Sequence, residues 1–322
     1  MVDPTAPQPT VRPRRPWLAG LLAALTAGLG HLYLGRWRAA AGIPVVVFCG
    51  TASIIIVVLL AGGSSLLALG LAGIVFVSLY LLQIVAAVQI AKRSPTEFVP
   101  RVFNRWTAYL LWFLVVQVVA SLPAVGLRAN VIELFEIPSD SMQPTLEPGD
   151  FVAIPKIGPN ARTPLAVGDL AVFEYPPDPR LNYIKRIAGL PDDTVSVHGN
   201  RLAIQGSVSS ARCNQPTVMV TDRYGRDQAA DCWLETRSDG ASWPVFVARA
   251  QARGPGADFG PTVVAQDQLL MFGDYRTNSS DSRVWGTVRT DQVLGRPDQI
   301  VFSLSRREGP RWDRIGTPLQ PR

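Results

Sequence analysis

The chain is poor in the residues that metal sites and histidine-based catalysis use. Its 322 residues include three cysteines and two histidines. No CxxC, HExxH or paired Cys/His spacing occurs, so neither a metal site nor a bound cofactor is expected. His31 lies in an apolar run and His198 in the polar turn Val197-His198-Gly199-Asn200. Neither sits in a recognisable catalytic motif, which leaves little for a Ser-His-Asp triad. Lysine is scarce too: of 31 basic residues, only Lys92, Lys156 and Lys185 are lysines and 28 are arginines. Arginine stays protonated in proteins, whereas a buried lysine can be neutral. A lysine kept inside an apolar strand pattern is therefore a candidate base. No basic stripe with interleaved aromatics appears, so the net charge of +6 does not point to nucleic acid.

Apolar residues make up 48% of the chain and are unevenly spread. The first 130 residues are very apolar, and most Asp and Glu come later, which suggests a membrane half joined to a soluble half. Residues 1–16, rich in Pro and Arg, are expected to be a disordered basic tail, with no cleavable-signal pattern of their own. Four apolar stretches fill residues 17–127: Trp17–Leu34, Ala39–Leu60, Ser65–Ile90 and Thr107–Leu127. A spanning helix needs ~20 apolar residues, so the last three qualify and the first is marginal. Lys92, Arg93, Arg101 and Arg105 place the loop between stretches three and four in the cytoplasm. The fourth stretch then exits to the outer face. A re-entrant first stretch gives three spans and a cytoplasmic N-terminus; a spanning one gives four spans and an external N-terminus. Gly28-Leu29-Gly30-His31-Leu32-Tyr33-Leu34-Gly35-Arg36 reads as a tight turn that needs glycine.

From residue 128 to 322 the texture changes. Phe151–Ile154, Leu170–Phe173, Tyr183–Ile187, Thr194–Val197, Val245–Ala248, Leu269–Phe272 and Gln299–Phe302 are short β-type runs bounded by turn formers. They predict an all-β, barrel-like domain, so the whole chain reads as a membrane-anchored, mostly-β protein. Residues 199–262 are more polar and read as an inserted subdomain carrying Cys213 and Cys232. Those two form a disulfide if this half lies outside the cytosol, and are free thiols otherwise. Cys49, inside an apolar run, is a packing residue.

The stretch Glu136-Ile137-Pro138-Ser139-Asp140-Ser141-Met142-Gln143-Pro144-Thr145-Leu146 joins the two halves. A serine hydroxyl is a weak nucleophile until a base takes its proton. Lysine can be that base if burial lowers its pKa. In Tyr183-Ile184-Lys185-Arg186-Ile187, strand alternation puts Tyr183, Lys185 and Ile187 on one face. Taken alone, Lys185 could as well be an ordinary strand lysine with its head in water.

Four blocks in order sharpen this: Ile137–Leu146, Gly168–Phe173, Tyr183–Asp193 and Gly273–Gly286. With them the sequence resembles the bacterial type I signal peptidases, Ser-Lys endopeptidases, over about 190 residues from Phe135 onward, minus the insertion. The tail Arg311–Gly316 is similar to that of Gram-negative members. The resemblance implies Ser141 as nucleophile and Lys185 as general base, with Ser279 orienting the Lys185 amine. It implies an oxyanion hole from the Ser141 N–H and the Ser139 hydroxyl, and a supporting Asp281–Arg283 ion pair. Phe135, Ile137, Pro138, Tyr183 and Ile184 would line pockets for small residues at positions −1 and −3. The implied partners are signal-peptide-bearing preproteins, the lipid bilayer and a nearby secretion translocon. The implied location is the bacterial cytoplasmic membrane, with the catalytic domain on the extracytoplasmic side. Three positions depart from the family pattern: Asp140 for a frequent Gly, Asp192-Asp193 for Gly-Asp, and Tyr275 for a common Asn. A Ser-Lys peptidase devoted to one exported substrate, or a non-catalytic membrane scaffold, are the alternatives.

Overall fold

A computed structural model describes residues 14–94, 104–204, 207–221, 226–254, 256–305 and 309–321. Most of the expected basic tail, and Arg101 of the charged loop, lie outside them. The chain divides into two compact units, residues 1–58 with 67–131, and residues 59–66 with 132–322.

The first unit is helical: α1 (Pro16–Leu25), α2 (Leu29–Tyr33), α3 (Trp37–Leu60), α4 (Ser65–Arg93) and α5 (Trp106–Asn130). Helices α3, α4 and α5 are long and apolar enough to cross a membrane, with mean hydropathies of 2.8, 2.4 and 2.2. Their large apolar side chains, such as Ile74, Leu82, Leu111 and Leu122, face outward. That is the arrangement of a helix solvated by lipid, where the backbone must satisfy its own hydrogen bonds.

The first apolar stretch is broken. The ten residues of α1 rise about 15 Å, half of the ~30 Å hydrocarbon core. The break falls at Gly28, where φ is +83° and a Cβ would meet the Ala40 carbonyl oxygen at 2.3 Å. A helix end leaves carbonyls without partners, and side chains from α4 and α5 supply them. Gln83 Nε2 donates to Ala23 O at 2.6 Å, Tyr80 OH to Ala24 O at 3.2 Å and Trp112 Nε1 to Ala27 O at 3.2 Å. Asn104 Nδ2 donates to Leu32 O and Tyr33 O at 2.9 and 3.2 Å.

The second unit is mostly β. Its strands are β1 (Ile132–Glu136), β2 (Asp150–Pro155), β3 (Leu170–Glu174), β4 (Asn182–Gly189), β5 (Thr194–His198), β6 (Arg201–Ile204), β7 (Val208–Thr221) and β8 (Asp227–Arg237). There follow β9 (Ser242–Ala248), β10 (Phe259–Val263), β11 (Gln268–Phe272), β12 (Val288–Arg289), β13 (Val293–Gly295), β14 (Gln299–Ser305) and β15 (Gly309–Pro310). Among the described residues they pair as four open sheets rather than a closed barrel: β1-β2-β14-β15, β10-β5-β6, β12-β11-β4-β3-β13 and β7-β8-β9. β1 is an edge strand, paired among the described residues with β2 alone.

The β7–β8 hairpin, with strands of 14 and 11 residues, is the longest in the unit. Its ladder breaks between Arg212 and Thr217. There Cys213 is bonded to Cys232, with 5.5 Å between their Cα atoms, inside the usual range for a disulfide.

Candidate active site

Ser141 sits on a single 3-10 turn, Asp140–Met142, between β1 and β2. Pro138 ends the extended run, and two backbone bonds fix its approach: Ile137 N to Asp150 O and Gly149 N to Ile137 O, both 2.8 Å. Met142, Leu146 and Ile137 bury their side chains with Val152, Leu170, Ile300 and Leu319. The turn is thereby nailed to the core from both sides of the serine. Asp140, at its first position, is buried as well. Beyond the turn, Glu147 and Asp150 are gripped by the tail. Arg311 Nη1 donates to Glu147 at 2.5 Å and Arg314 Nη2 to Asp150 at 2.6 Å.

Lys185 enters from the middle of β4, where it pairs with Ala171 of β3. It is 4% exposed. Its Nζ donates to Ser141 Oγ at 2.5 Å, and Ser139 Oγ lies 3.2 Å from Ser141 Oγ. Burial disfavours the ammonium ion and pushes the Lys185 pKa from 10.5 down to about 8. Asp281 and Asp274 pull upward against it, and Arg283 adds to the fall. The lysine thus loses its proton far more readily than an exposed one, and its neutral form, the form a general base needs, predominates above pH about 8. Once neutral, it leaves the Ser141 hydroxyl free to donate across the same short contact.

The loop after β11 closes the site. Gly273 N donates to Asp281 Oδ2 at 3.0 Å. Arg283 grips the same carboxylate through Nε at 2.8 Å and Nη2 at 2.7 Å. Burial by itself would raise the Asp281 pKa, but the Arg283 bonds and charge and the Gly273 N–H outweigh it and hold it low. A Cβ on Gly273 would come within 2.2 Å of Ser279 Oγ and 2.6 Å of the Ser141 carbonyl oxygen. Only glycine lets this backbone approach so closely. Ser279 Oγ is buried here and has no hydrogen-bond partner among the described residues. The bond to Lys185 expected from the resemblance is therefore absent from this structure, although the hydroxyl lies in the packed shell around Ser141.

Of the expected pocket residues, Phe135, Ile137 and Ile184 pack in one cluster, with Pro138 exposed beside them. Tyr183 does not join them. It stacks on Tyr175 at 4.2 Å and packs with the separate cluster around Phe173 and Ile187. Alternation explains the split, because Ile184 and Tyr183 point to opposite faces of β4.

One pair escaped the sequence. Arg186 is as buried as Lys185 and forks onto Asp274, Nε to Oδ1 at 2.6 Å and Nη2 to Oδ2 at 2.5 Å. It also donates to Gly168 O and Thr145 Oγ1, tying together all four blocks. An arginine inside an apolar strand needs a buried acid, which was the available signal.

The comparisons with known proteins agree with this geometry. Residues 106–302 match the family described as Signal peptidase, peptidase S26. The chain is similar to Signal peptidase I of Pseudomonas fluorescens, 32% identical over 55% of this chain and 67% of the relative. For Signal peptidase I of Pseudomonas aeruginosa the figures are 32%, 52% and 60%, and for that of Leptolyngbya laminosa 33%, 57% and 75%. With its apolar helices and β domain, the chain is a membrane-anchored serine endopeptidase. It belongs to the signal peptidase family, peptidase S26.

Proposed function

We propose that this type I signal peptidase removes signal peptides from exported preproteins through a Ser141–Lys185 dyad. The observation that carries the dyad is the buried 2.5 Å contact between Lys185 Nζ and Ser141 Oγ. Neutral Lys185 takes the Ser141 proton as Oγ attacks the scissile carbonyl carbon. The Ser141 N–H and the Ser139 hydroxyl stabilise the oxyanion; elsewhere one such donor is worth ~10²–10³ in rate. The Lys185 ammonium then protonates the leaving amine, and the C–N bond breaks to leave an acyl-enzyme. Water attacks that ester with Lys185 again taking the proton, and Ser141 is regenerated. Asp281, with Arg283, holds Gly273 and the shell around the dyad.

The substrate lies extended along the free edge of β1, where main-chain bonds give affinity and alternate side chains give selectivity. Phe135, Ile137 and Ile184 form an apolar wall suited to small residues at −1 and −3. Helices α3, α4 and α5 are the spans, the N-terminus is cytoplasmic, and the β domain works on the extracytoplasmic side near the translocon. The test is cleavage of a synthetic precursor by wild type beside Ser141→Ala and Lys185→Ala. Both variants are expected to be inactive, and turnover by either refutes the dyad.

A further inference from the structure

Tyr275 stands where the family commonly has Asn. It is fully buried, and the steps above give it no part. Its backbone N–H donates to the Ser141 carbonyl at 3.1 Å, in the same residue as the reacting hydroxyl. Its side chain runs into the inserted sheet. The ring packs with Val220 of β7, Ala230 of β8 and Ala248 of β9, and meets Phe246 edge-on at 6.3 Å. The hydroxyl accepts from Gln228 Nε2 at 2.6 Å.

The backbone on either side of Tyr275 is held by the same sheet. Phe246 N donates to Asp274 O at 2.8 Å, and Arg276 N to Phe246 O at 2.9 Å. Arg276 then forks onto Glu235 of β8, with two bonds of 2.6 Å. That buried carboxylate also accepts from Trp243 Nε1 and Leu202 N. Arg276 Nε reaches back to Gly273 O at 3.2 Å, next to Ser279 and the Ser141 carbonyl.

We propose that the sheet β7–β9 is a positioning clamp for the nucleophile, and that Tyr275 is the positioning residue through which it acts. The proposal rests on Ser141 being the nucleophile. A displacement of about 1 Å at a reacting group can cost ~10²-fold in rate. The Tyr275 N–H bonds the Ser141 turn to the loop, and the sheet holds that loop at Asp274, Tyr275 and Arg276. Asn at 275 has neither the apolar surface to fill the cluster nor the reach to Gln228. The loop would keep its backbone bonds to Phe246 and its ties through Asp274 and Arg276. It would lose the packed ring and the Gln228 bond that fix the 275 N–H against the Ser141 carbonyl, and Ser141 would shift relative to Lys185. The clamp touches no substrate, so its loss should appear in kcat rather than KM.

The experiment compares full-length wild type, Tyr275→Asn, Tyr275→Phe and Ser141→Ala in detergent on a synthetic precursor. It reads kcat, KM and the folded fraction from thermal unfolding. Tyr275→Asn is expected to lose about tenfold or more in kcat, with KM unchanged and the protein folded at the assay temperature. Tyr275→Phe keeps the ring in its cluster and is expected to stay near wild type. Wild-type kcat in Tyr275→Asn overturns the clamp. So does a loss that merely follows the unfolded fraction, or an equal loss in Tyr275→Phe. Where Tyr275→Asn does not fold, Tyr275→Leu serves in its place, since it keeps an apolar side chain in the cluster. It is expected to lose kcat several-fold at unchanged KM, and wild-type kcat overturns the clamp again. Turnover by Ser141→Ala removes the nucleophile assignment itself, a failure separate from that of a clamp tested above an inactive Ser141→Ala.

Discussion

The helical unit and the β unit bury polarity in opposite ways. The helical unit uses neutral groups singly: Gln83, Tyr80, Trp112 and Asn104 each close backbone carbonyls left open by a broken helix. The β unit buries whole charges as bidentate pairs, Arg186–Asp274, Arg276–Glu235 and Arg283–Asp281. Among these pairs it leaves Lys185 without a bidentate acid of its own, in hydrogen-bond contact with a neutral hydroxyl. A charge can be buried where a partner and several donors surround it, and it becomes chemically useful where they are withheld. Arginine, which cannot shed its proton, holds the frame, and the rare lysine is the buried cation that can give its proton up.

The largest effect should come from removing the exception. Lys185→Met is expected to lower cleavage by about 10⁴-fold or more, as deletion of a catalytic-triad member does elsewhere. It should also stabilise the fold. The folded-state pKa of Lys185, about 8, lies below its unfolded value of 10.5, so burying the ammonium costs about 3 kcal/mol. That penalty is full below pH about 8 and is released as pH rises toward 10.5. Thermal unfolding of variant and wild type should show the gap at pH 7 and its narrowing by pH 10. A variant less stable than wild type at pH 7 breaks the comparison.

Next come the pairs. Arg186→Met, which strands Asp274, should cost about 3–5 kcal/mol, whereas Arg186→Met with Asp274→Leu should recover most of it. Denaturant unfolding of both variants checks this. In the helical unit, Gln83→Leu should cost only about 1 kcal/mol. An equal cost for Gln83→Leu and Arg186→Met would erase the distinction between the units. The gentlest probe leaves the sequence intact. Cleavage should rise about tenfold per pH unit on the acid side and level off above pH about 8, as Lys185 becomes neutral. A flat profile excludes lysine as the base.

Local pattern carried the long apolar helices and the strand centres. Three apolar runs became α3, α4 and α5, shifted by only a few residues at their ends, and every short β-type run named from sequence lies within a strand. The β7–β8 hairpin was not legible. Most of β7 is exposed on both faces, so no alternation marks it as a strand. Ser141 and Lys185 could be singled out because motif blocks surround both. Their surroundings could not: Glu235 and Arg276 meet across 41 positions, and no periodicity announces which acid an arginine finds. Tyr275 read as a mild departure from a pattern. In the structure it is a fully buried plug, because its fit depends on three strands of the inserted subdomain. Ser279 shows the converse, a motif position occupied as expected whose hydroxyl makes no expected bond.

The α1–α2 break sets an order of events during synthesis. Its carbonyls at Ala23, Ala24 and Ala27 emerge first, but their donors at residues 80, 83 and 112 emerge later. Until α4 and α5 are made, those carbonyls can be hydrated only near the membrane surface, because the hydrocarbon offers them nothing. The N-terminal hairpin is therefore translated before the donors that close its carbonyls.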